Sequence, residues 1–554
     1  MPNNSAISSI CPHASGAGAD IMEKGGNAVD AAIAAGAVLA VTSQNFCGLG
    51  GDLFALVWDD SSPAPAALNA SGRSGSGASA QTLRADGLDR IPFHHSPHAV
   101  PVPGCVDGWA AMHQRYGSLP WADLFADAIN LAENGWPSSK SLEQGATMLE
   151  GVDGAEEIRQ ARAGEKLRRP RTAQALRDIA SKGREGFYEG PFGAGLIELG
   201  AGLGANGTDL YTAEDLRTQQ ANWEKALAAT TAGHTLWTSR PNSQGYLLSL
   251  AMRILDHLEF SREDEGLWAH YIIEACRLAG YDRPEFLHEH ADAEKILLEA
   301  ASRAERIHPD TRADVSGPQA DGGTTYMAVS DSQGMAVSYI QSNAAGFGSL
   351  LFEPRTGIAL QNRGIGFNLT PGHPAEYGPR KRPPHTLLPA LVSREDGSLR
   401  LVTGTMGGDA QPQIVTQILD RILRGGQSVT QAIGAPRIRL DAGQTGFDTW
   451  SNSHGVNLEQ DVPTPWETGL RQRGHEVNRL DVIFGHAHAI EITPSGQVSA
   501  AADPRAETGT ALVFLYCDLH RHRPIAQLAT APTEHGAGSR QRRDGPSSTS
   551  PICR

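Results

Sequence analysis

Asp321-Gly322-Gly323-Thr324-Thr325-Tyr326-Met327-Ala328-Val329-Ser330 carries the chain from polar, flexible residues into a half-buried strand pattern. Gly322 and Gly323 let the backbone bend until the Thr324 hydroxyl reaches the carbonyl of Gly323. A chain cut at that bond begins with Thr324, whose hydroxyl is a nucleophile and whose freed α-amine can activate it. Gly-Gly-Thr-Thr is also an ordinary loop-to-strand junction, so the surrounding sequence has to decide. Residues 326–329 and 336–340 flank Asp331-Ser332-Gln333-Gly334, a hairpin signal with glycine at the turn. Thr325 is read as shaping the strand start.

Working outward, residues 15–41 carry Ala, Ile and Val at helical spacing, interrupted by Gly25-Gly26. That predicts two helices, the first ending at the glycines and the second capped by Asn27. Residues 53–58 read as a buried strand and residues 72–104 as loop. Helical periodicity returns over 108–134, 172–182 (stopping at Gly183) and 247–260. Residues 399–403 read as a strand, and 414–423 as a helix after Gly407-Gly408. Early helices with strands at the nucleophile favour a layered α/β sheet fold with helices outside. Gly25-Gly26-Asn27 and Gly48-Leu49-Gly50-Gly51 lack the nucleotide fingerprint and read as tight packing turns.

With 40% hydrophobic and 20% charged residues, the 554-residue chain has the composition of a globular protein with a sizeable core. A net charge of −15 argues against a nucleic-acid partner. No apolar run is long enough for a membrane helix, and the first residues lack a signal-peptide pattern, so a cytoplasmic protein is expected. The six cysteines are scattered without a CxxC pair and read as reduced thiols. His94, His95 and His98 lack carboxylate or cysteine partners at ligand spacing, so no metal and no cofactor are expected.

The stretch TTYMAVSDSQGMAVSYIQSNAAGFGSLLFEPRTGIALQNRGIGFNL from Thr324 resembles the start of the small subunit of the γ-glutamyltranspeptidase family, a branch of the N-terminal-nucleophile hydrolases. AGADIMEKGGNAVD from Ala17, CGLGGD from Cys47, PVPGCVDGWAAMHQRYG from Pro101, EACRLAGYDR from Glu274, KRPPHTLLP from Lys381, TGTMGGDAQPQ from Thr403 and ADPR from Ala502 follow in the family's order. The resemblance implies a four-layer αββα sandwich. It also implies autocleavage into a helix-rich large subunit (1–323) and a strand-rich small subunit (324–515) that stay together as a heterodimer. Residues 516–554, rich towards the end in Gly, Ser, Arg and Pro, are expected to be a disordered tail.

Residue by residue, the resemblance makes Thr324 the nucleophile and Gly407 and Gly408 the oxyanion donors, a role that backbone N–H groups at a strand-to-helix junction can fill. It makes Ser342 the second hydroxyl beside Thr324, with Asn343 adding amide hydrogen bonds. His385 and Thr386 fall where γ-glutamyl enzymes bind the substrate's α-carboxylate with two serines, and Arg73 falls at the paired arginine. Gly366 stands where those enzymes carry the carboxylate that grips the α-amine, while Arg363 adds positive charge nearby. An unpaired buried charge costs several kcal/mol, so a pocket without that carboxylate should hold an α-ammonium poorly. The leading expectation is a γ-glutamyl hydrolase or transferase acting on small amides such as glutathione. One alternative is an acylase or amidohydrolase for a carboxylated amide lacking the α-amine, such as a dicarboxylic acid monoamide. Another is a non-catalytic binding or scaffold relative. Hydrolysis and transfer both remain open, because acceptor choice depends on access to the pocket.

Overall fold

The protein is described by a computed structural model over residues 4–315, 323–440 and 455–515, with a further backbone strand at 525–528. Two antiparallel sheets lie face to face. The eight-stranded sheet runs Ile525–Leu528, Thr510–Leu515, Asn4–Ser9, Gly323–Ser330, Ala336–Ala344, Asp52–Trp58, Ala66–Ala70, Asn222–Lys225. The six-stranded sheet runs Val498–Ala502, Ala487–Ile492, Leu399–Thr405, Ala390–Ser393, His234–Thr238, Leu227–Thr231.

Side-chain alternation builds the layers. Phe54, Leu56, Trp58, Tyr326, Ala328 and Ile340 face the second sheet and meet Leu391, Val402 and Ile490. Their neighbours Leu53, Ala55, Val57, Met327 and Val329 face outward, onto the helices Pro12–Glu23, Ala28–Thr42 and Cys105–Tyr116. Both faces are therefore buried, which is why 53–58 reads as a continuous apolar run. On the other side, Gly245–Asp256, Glu265–Gly280 and Gln411–Leu423 cover the second sheet. The result is the four-layer αββα sandwich. The sheets come very close at Gly404, where an added Cβ would lie 2.3 Å from the Tyr326 ring.

The two N-terminal helices form as expected: Asn27 caps the second through Val29 and Asp30, and Asp30 returns a bond to the Asn27 N–H. Pro170–Lys182 stops at Gly183. Residues 72–104 differ from the loop expectation by a short α-helix, Ala80–Ala85, which Ser79 caps, and a single 3-10 turn, Pro97–Ala99. Helical periodicity over 108–134 resolves into Cys105–Tyr116 and Ala126–Asn134, with Pro120 marking the break. Within 516–554, Ile525–Leu528 adds an edge strand by pairing with Thr510–Leu515, so this piece departs from the expected tail. The rest of that segment lies outside the described residues, as do Asp321 and Gly322. Cys11, Cys47, Cys105 and Cys276 are buried free thiols. Among the described residues no helix is long and apolar enough to cross a membrane.

Candidate active site

Thr324 is 1% exposed and sits at the start of Gly323–Ser330, on the inter-sheet face it shares with Tyr326 and Ala328. Thr325 points the other way and donates to the Gln341 carbonyl at 3.4 Å. Strand pairing is interrupted here. Gln341 faces Thr325 and Ala344 faces Gly323, so Ser342 and Asn343 together oppose the single residue Thr324. This β-bulge re-aims a side chain at the strand end. Ala344 takes φ +77°, a left-handed conformation costing a Cβ-bearing residue about 1–2 kcal/mol. Its N–H is held by Ser342 Oγ at 2.8 Å.

The bulge brings Ser342 alongside Thr324. Thr324 Oγ1 donates to Ser342 Oγ at 3.1 Å, and Arg363 Nη2 reaches the same oxygen at 3.3 Å. Arg363, in the short turn Arg363–Gly366, also donates through Nη1 to Thr386 Oγ1 at 2.9 Å. The Thr386 carbonyl accepts from Gln244 Nε2 at 2.7 Å, and that nitrogen also donates to the Gly408 carbonyl at 2.9 Å. Thr324, Ser342, Arg363, Thr386, Gln244 and Gly408 thus form one buried hydrogen-bonded chain from the strand start to the Gly-Gly junction.

Gly407 and Gly408 follow the strand Leu399–Thr405 and precede the helix Gln411–Leu423, with φ of +134° and +54°. Only glycine takes both conformations without strain. No hydrogen bond from either N–H forms among the described residues. The pair therefore keeps two backbone donors for a developing negative charge.

The charges in this region are enclosed and paired, Arg363 and Arg283 standing against Asp52 and Asp409. Burial pushes the Arg363 guanidinium down to about 10, with Asp52 and Asp409 opposing, so it stays cationic at neutral pH. Asp409, directly after the glycines, is raised by burial to about 6 against the pull of Arg283 and Arg363. Arg283 bonds Asp409 at 2.6 Å. A cation next to Ser342 and Thr324 favours an alkoxide at Thr324 over the neutral hydroxyl.

Three expected substrate contacts are redirected. Burial holds the His385 ring down at about 3, so it is neutral. Its Nε2 lies 3.1 Å from Asp52 Oδ2, while the Leu387 N–H donates to Nδ1 at 3.3 Å. His385 is therefore an Nε2–H tautomer locked onto Asp52 and not an anion receptor. The Arg73 guanidinium bonds the Gln220 carbonyl and Asn222 Oδ1 instead of the site, because the strand Asn222–Lys225 brings those acceptors alongside it. Asn343 alternates away from Ser342, donates to the Gln44 carbonyl and lies against Gly48 and Gly51. His94, His95 and His98 lie outside this network, His98 being set against the Tyr377 hydroxyl at 3.3 Å.

Asp52, Gln244, Gln361, Arg283 and Asp409 were not singled out from sequence. Asp52 Oδ1 accepts from Gly72 N–H, Gly104 N–H and Gln361 Nε2 at 2.8–3.1 Å. It pins the CGLGGD turn, where Gly51 lies so close to Ser342 that a Cβ would be 2.3 Å from its carbonyl oxygen. The available signals were Asp52 after Gly50-Gly51 and Asp409 after Gly407-Gly408; Gln244 had none.

A cleft of about 310 Å³ adjoins this network, its walls including Arg283, Ile365, Gly366, Phe367 and Pro384. A Cβ on Gly366 would lie 2.8 Å from the Pro384 carbonyl oxygen.

The family described as gamma-glutamyltranspeptidase matches residues 14–513. The chain belongs to the γ-glutamyltranspeptidase family. It is 34% identical over 521 residues to the glutathione hydrolase-like YwrD proenzyme of Bacillus subtilis, covering 90% of this chain and 97% of that protein. It is also 34% identical over 528 residues to the oxamate amidohydrolase proenzyme of Klebsiella pneumoniae, covering 91% of this chain and 97% of that one. Among solved structures, the cephalosporin acylase from Bacillus halodurans superimposes with a TM-score of 0.83 at 30% identity, covering 92% of this chain and 96% of that chain. This γ-glutamyltranspeptidase-family member is thus placed among N-terminal-nucleophile hydrolases and transferases, including relatives named as proenzymes.

Proposed function

We propose that this family member is an autoprocessed amide hydrolase or acyltransferase for acyl groups that end in a carboxylate and carry no α-amine. The observation that carries the reading is the contact between Gly366 and Pro384. The family position that would answer an α-ammonium holds no side chain, and the carbonyl 2.8 Å from a Cβ there leaves no room for a carboxylate without backbone movement. Arg363, which stays cationic beside Thr386, instead supplies positive charge suited to a carboxylate.

In this reading cleavage before Thr324 gives chains of 323 and 231 residues. The α-amine of Thr324 takes the hydroxyl proton as Oγ1 attacks the amide carbonyl. The N–H groups of Gly407 and Gly408 hold the oxyanion, and Ser342 turns its hydroxyl towards Thr324 Oγ1 as negative charge develops there. The α-ammonium returns its proton to the leaving amine. Water or an amine then resolves the ester, giving hydrolysis or transfer.

A second reading, hydrolysis of γ-glutamyl amides such as glutathione, draws on Thr386 keeping a hydroxyl in the site and on the glutathione hydrolase-like relative. The two separate on paired substrates. With purified, processed protein, kcat/KM for succinyl, glutaryl and oxalyl monoamides is expected to exceed that for the matching γ-glutamyl amide by at least about tenfold, roughly 1.4 kcal/mol of discrimination. A preference for the γ-glutamyl amide would establish the second reading. Processed protein that turns over neither set, and does not react with electrophilic threonine probes, would leave a binding or scaffold role.

A further inference from the structure

A second and larger cavity, about 480 Å³, is built against different parts of the same centre. Its walls include Phe46, Trp136, Met406 and His486, and it shares no residue with the Gly366 cleft. Three parts of the wall lie a short way along the chain or one hydrogen bond from Thr324, Asn343 or Gly407. Met406 immediately precedes Gly407, and its N–H donates to the His486 carbonyl at 3.1 Å. The Phe46 carbonyl accepts the Asn343 N–H inside the bulge at 3.1 Å. Ile10 and Cys11, also in the wall, extend the strand Asn4–Ser9. That strand runs antiparallel to Gly323–Ser330, pairing Ser8 with Ala328, so its continuation heads towards Thr324.

Apolar groups make up most of the lining surface, polar residues such as Ser138, Ser139 and Ser141 share the wall, and two buried polar side chains in it are unanswered. His486 is 7% exposed, and neither ring nitrogen has a hydrogen-bond partner among the described residues. Burial keeps the ring neutral against the pull of Asp503, and the Arg505 backbone approaches it without reaching good hydrogen-bond geometry. Asn45 is 6% exposed; its Nδ2 donates to Ser141 while Oδ1 is buried without a partner. Buried polar atoms left this way cost free energy unless something meets them. The charged groups at the wall are already engaged. Arg505 binds Glu459 and Asp503, and Glu507 accepts the N–H groups of Lys140 and Ser141. Phe46 packs edge-on against the His486 ring at 6.2 Å.

We propose that this cavity receives the amine half of the amide, and that it selects an uncharged aromatic amine bearing a hydroxyl or amide group. The inference rests on the amide-hydrolase reading above and adds the leaving-group side to it. A flat ring fills the space between Phe46 and Trp136. Its polar substituent meets Asn45 Oδ1 and a ring nitrogen of His486. The acyl group occupies the smaller cleft beside Gly366, so the two halves of the substrate are read by separate walls on either side of the scissile bond.

The test uses one acyl group and four amine halves: ammonia, methylamine, aniline and 3-aminophenol. Gln144→Trp places a bulky ring at the exposed rim of the cavity. It is expected to lower kcat/KM for the two anilides at least about tenfold more than for the primary amide. His486→Phe keeps the ring and removes both nitrogens. It is expected to lower the 3-hydroxyanilide relative to the plain anilide by about tenfold, and His486→Gln to recover part of that ratio. Equal loss on all four amides, or no change in either ratio, would overturn the proposal. Isothermal titration of 3-aminophenol into the wild type and Gln144→Trp reads the cavity without turnover. Binding at least about tenfold weaker in the variant supports it, and equal binding rejects it whatever the acyl specificity proves to be. Absence of turnover together with weakened titration would instead reject the hydrolase reading and keep the cavity.

Discussion

The hairpin from Gly323 to Ala344 and the loop from Gln361 to Thr386 meet at Ser342, yet they are built on opposite principles. The hairpin is held by a ladder of backbone pairs on both sides, to Asn4–Ser9 and to Asp52–Trp58, with one bulge to aim Ser342. The loop has little regular structure and is held by side chains: Asn362 on the Phe93 carbonyl, Arg363 on Thr386 and Ser342, His385 on Asp52. The hairpin fixes where Thr324 stands, and the loop fixes what charge surrounds it. A fold can therefore keep its chemistry while its substrate changes, because the two properties reside in segments with different sources of rigidity.

Substitutions can break the comparison on either side. The largest effect short of removing the nucleophile is expected at the Gly-Gly junction. Gly407→Ala places a Cβ 3.2 Å from Ile414 at a φ that L-residues avoid, displacing an oxyanion donor. A loss of about 10²–10³ in kcat, with a far smaller change in KM, is expected from steady-state kinetics. Arg363→Met in the loop should cost about 10² in kcat/KM for a carboxylate-bearing amide, since it removes a buried cation and leaves Asp409 with less compensation. Uncharged acyl amides should lose much less, and equal loss on both would show that Arg363 is merely structural. Ser342→Ala is expected to cost about tenfold in kcat and Ser342→Thr less, as for one hydrogen bond to a developing charge.

How far each region was legible follows from the same contrast. The two strands, the turn at Gly334 and the pairing of Thr324 with Ser342 could be placed from local pattern and resemblance. The bulge could not, because it shows only in how Gln341 and Ala344 pair across the hairpin. In the loop, Arg363, His385 and Thr386 were singled out for substrate, as was Arg73 outside it, but His385 and Arg73 pair within the protein. Their partners, Asp52 and Asn222, are 333 and 149 residues away in sequence, and no local pattern announces them. Gln244, joining Thr386 to Gly408, was invisible for the same reason.

The smallest expected effect concerns stability and pH. His385 and His488 are kept neutral by burial, at about 3 against an ordinary 6.5. Their contribution is present above about pH 6.5 and is lost as the pH falls towards 3, because the unfolded chain takes up those protons first. Asp409, raised to about 6, works in the opposite sense, weakening the fold as the pH rises from about 4 to 6. The histidines outweigh it, so Tm should fall by several degrees between pH 7.5 and 5. His385→Asn, if it folds, should flatten that dependence. A Tm that rises on acidification would contradict the buried neutral state of these rings.

The most direct measurement is the intact mass of purified wild type beside Thr324→Ala. The account predicts that the wild type separates into chains of 323 and 231 residues, the smaller starting at Thr324, and that the variant stays at 554. A wild type that remains whole under folding conditions, or a variant that still cleaves before position 324, would contradict Thr324 as the residue that cuts the chain and then attacks the substrate.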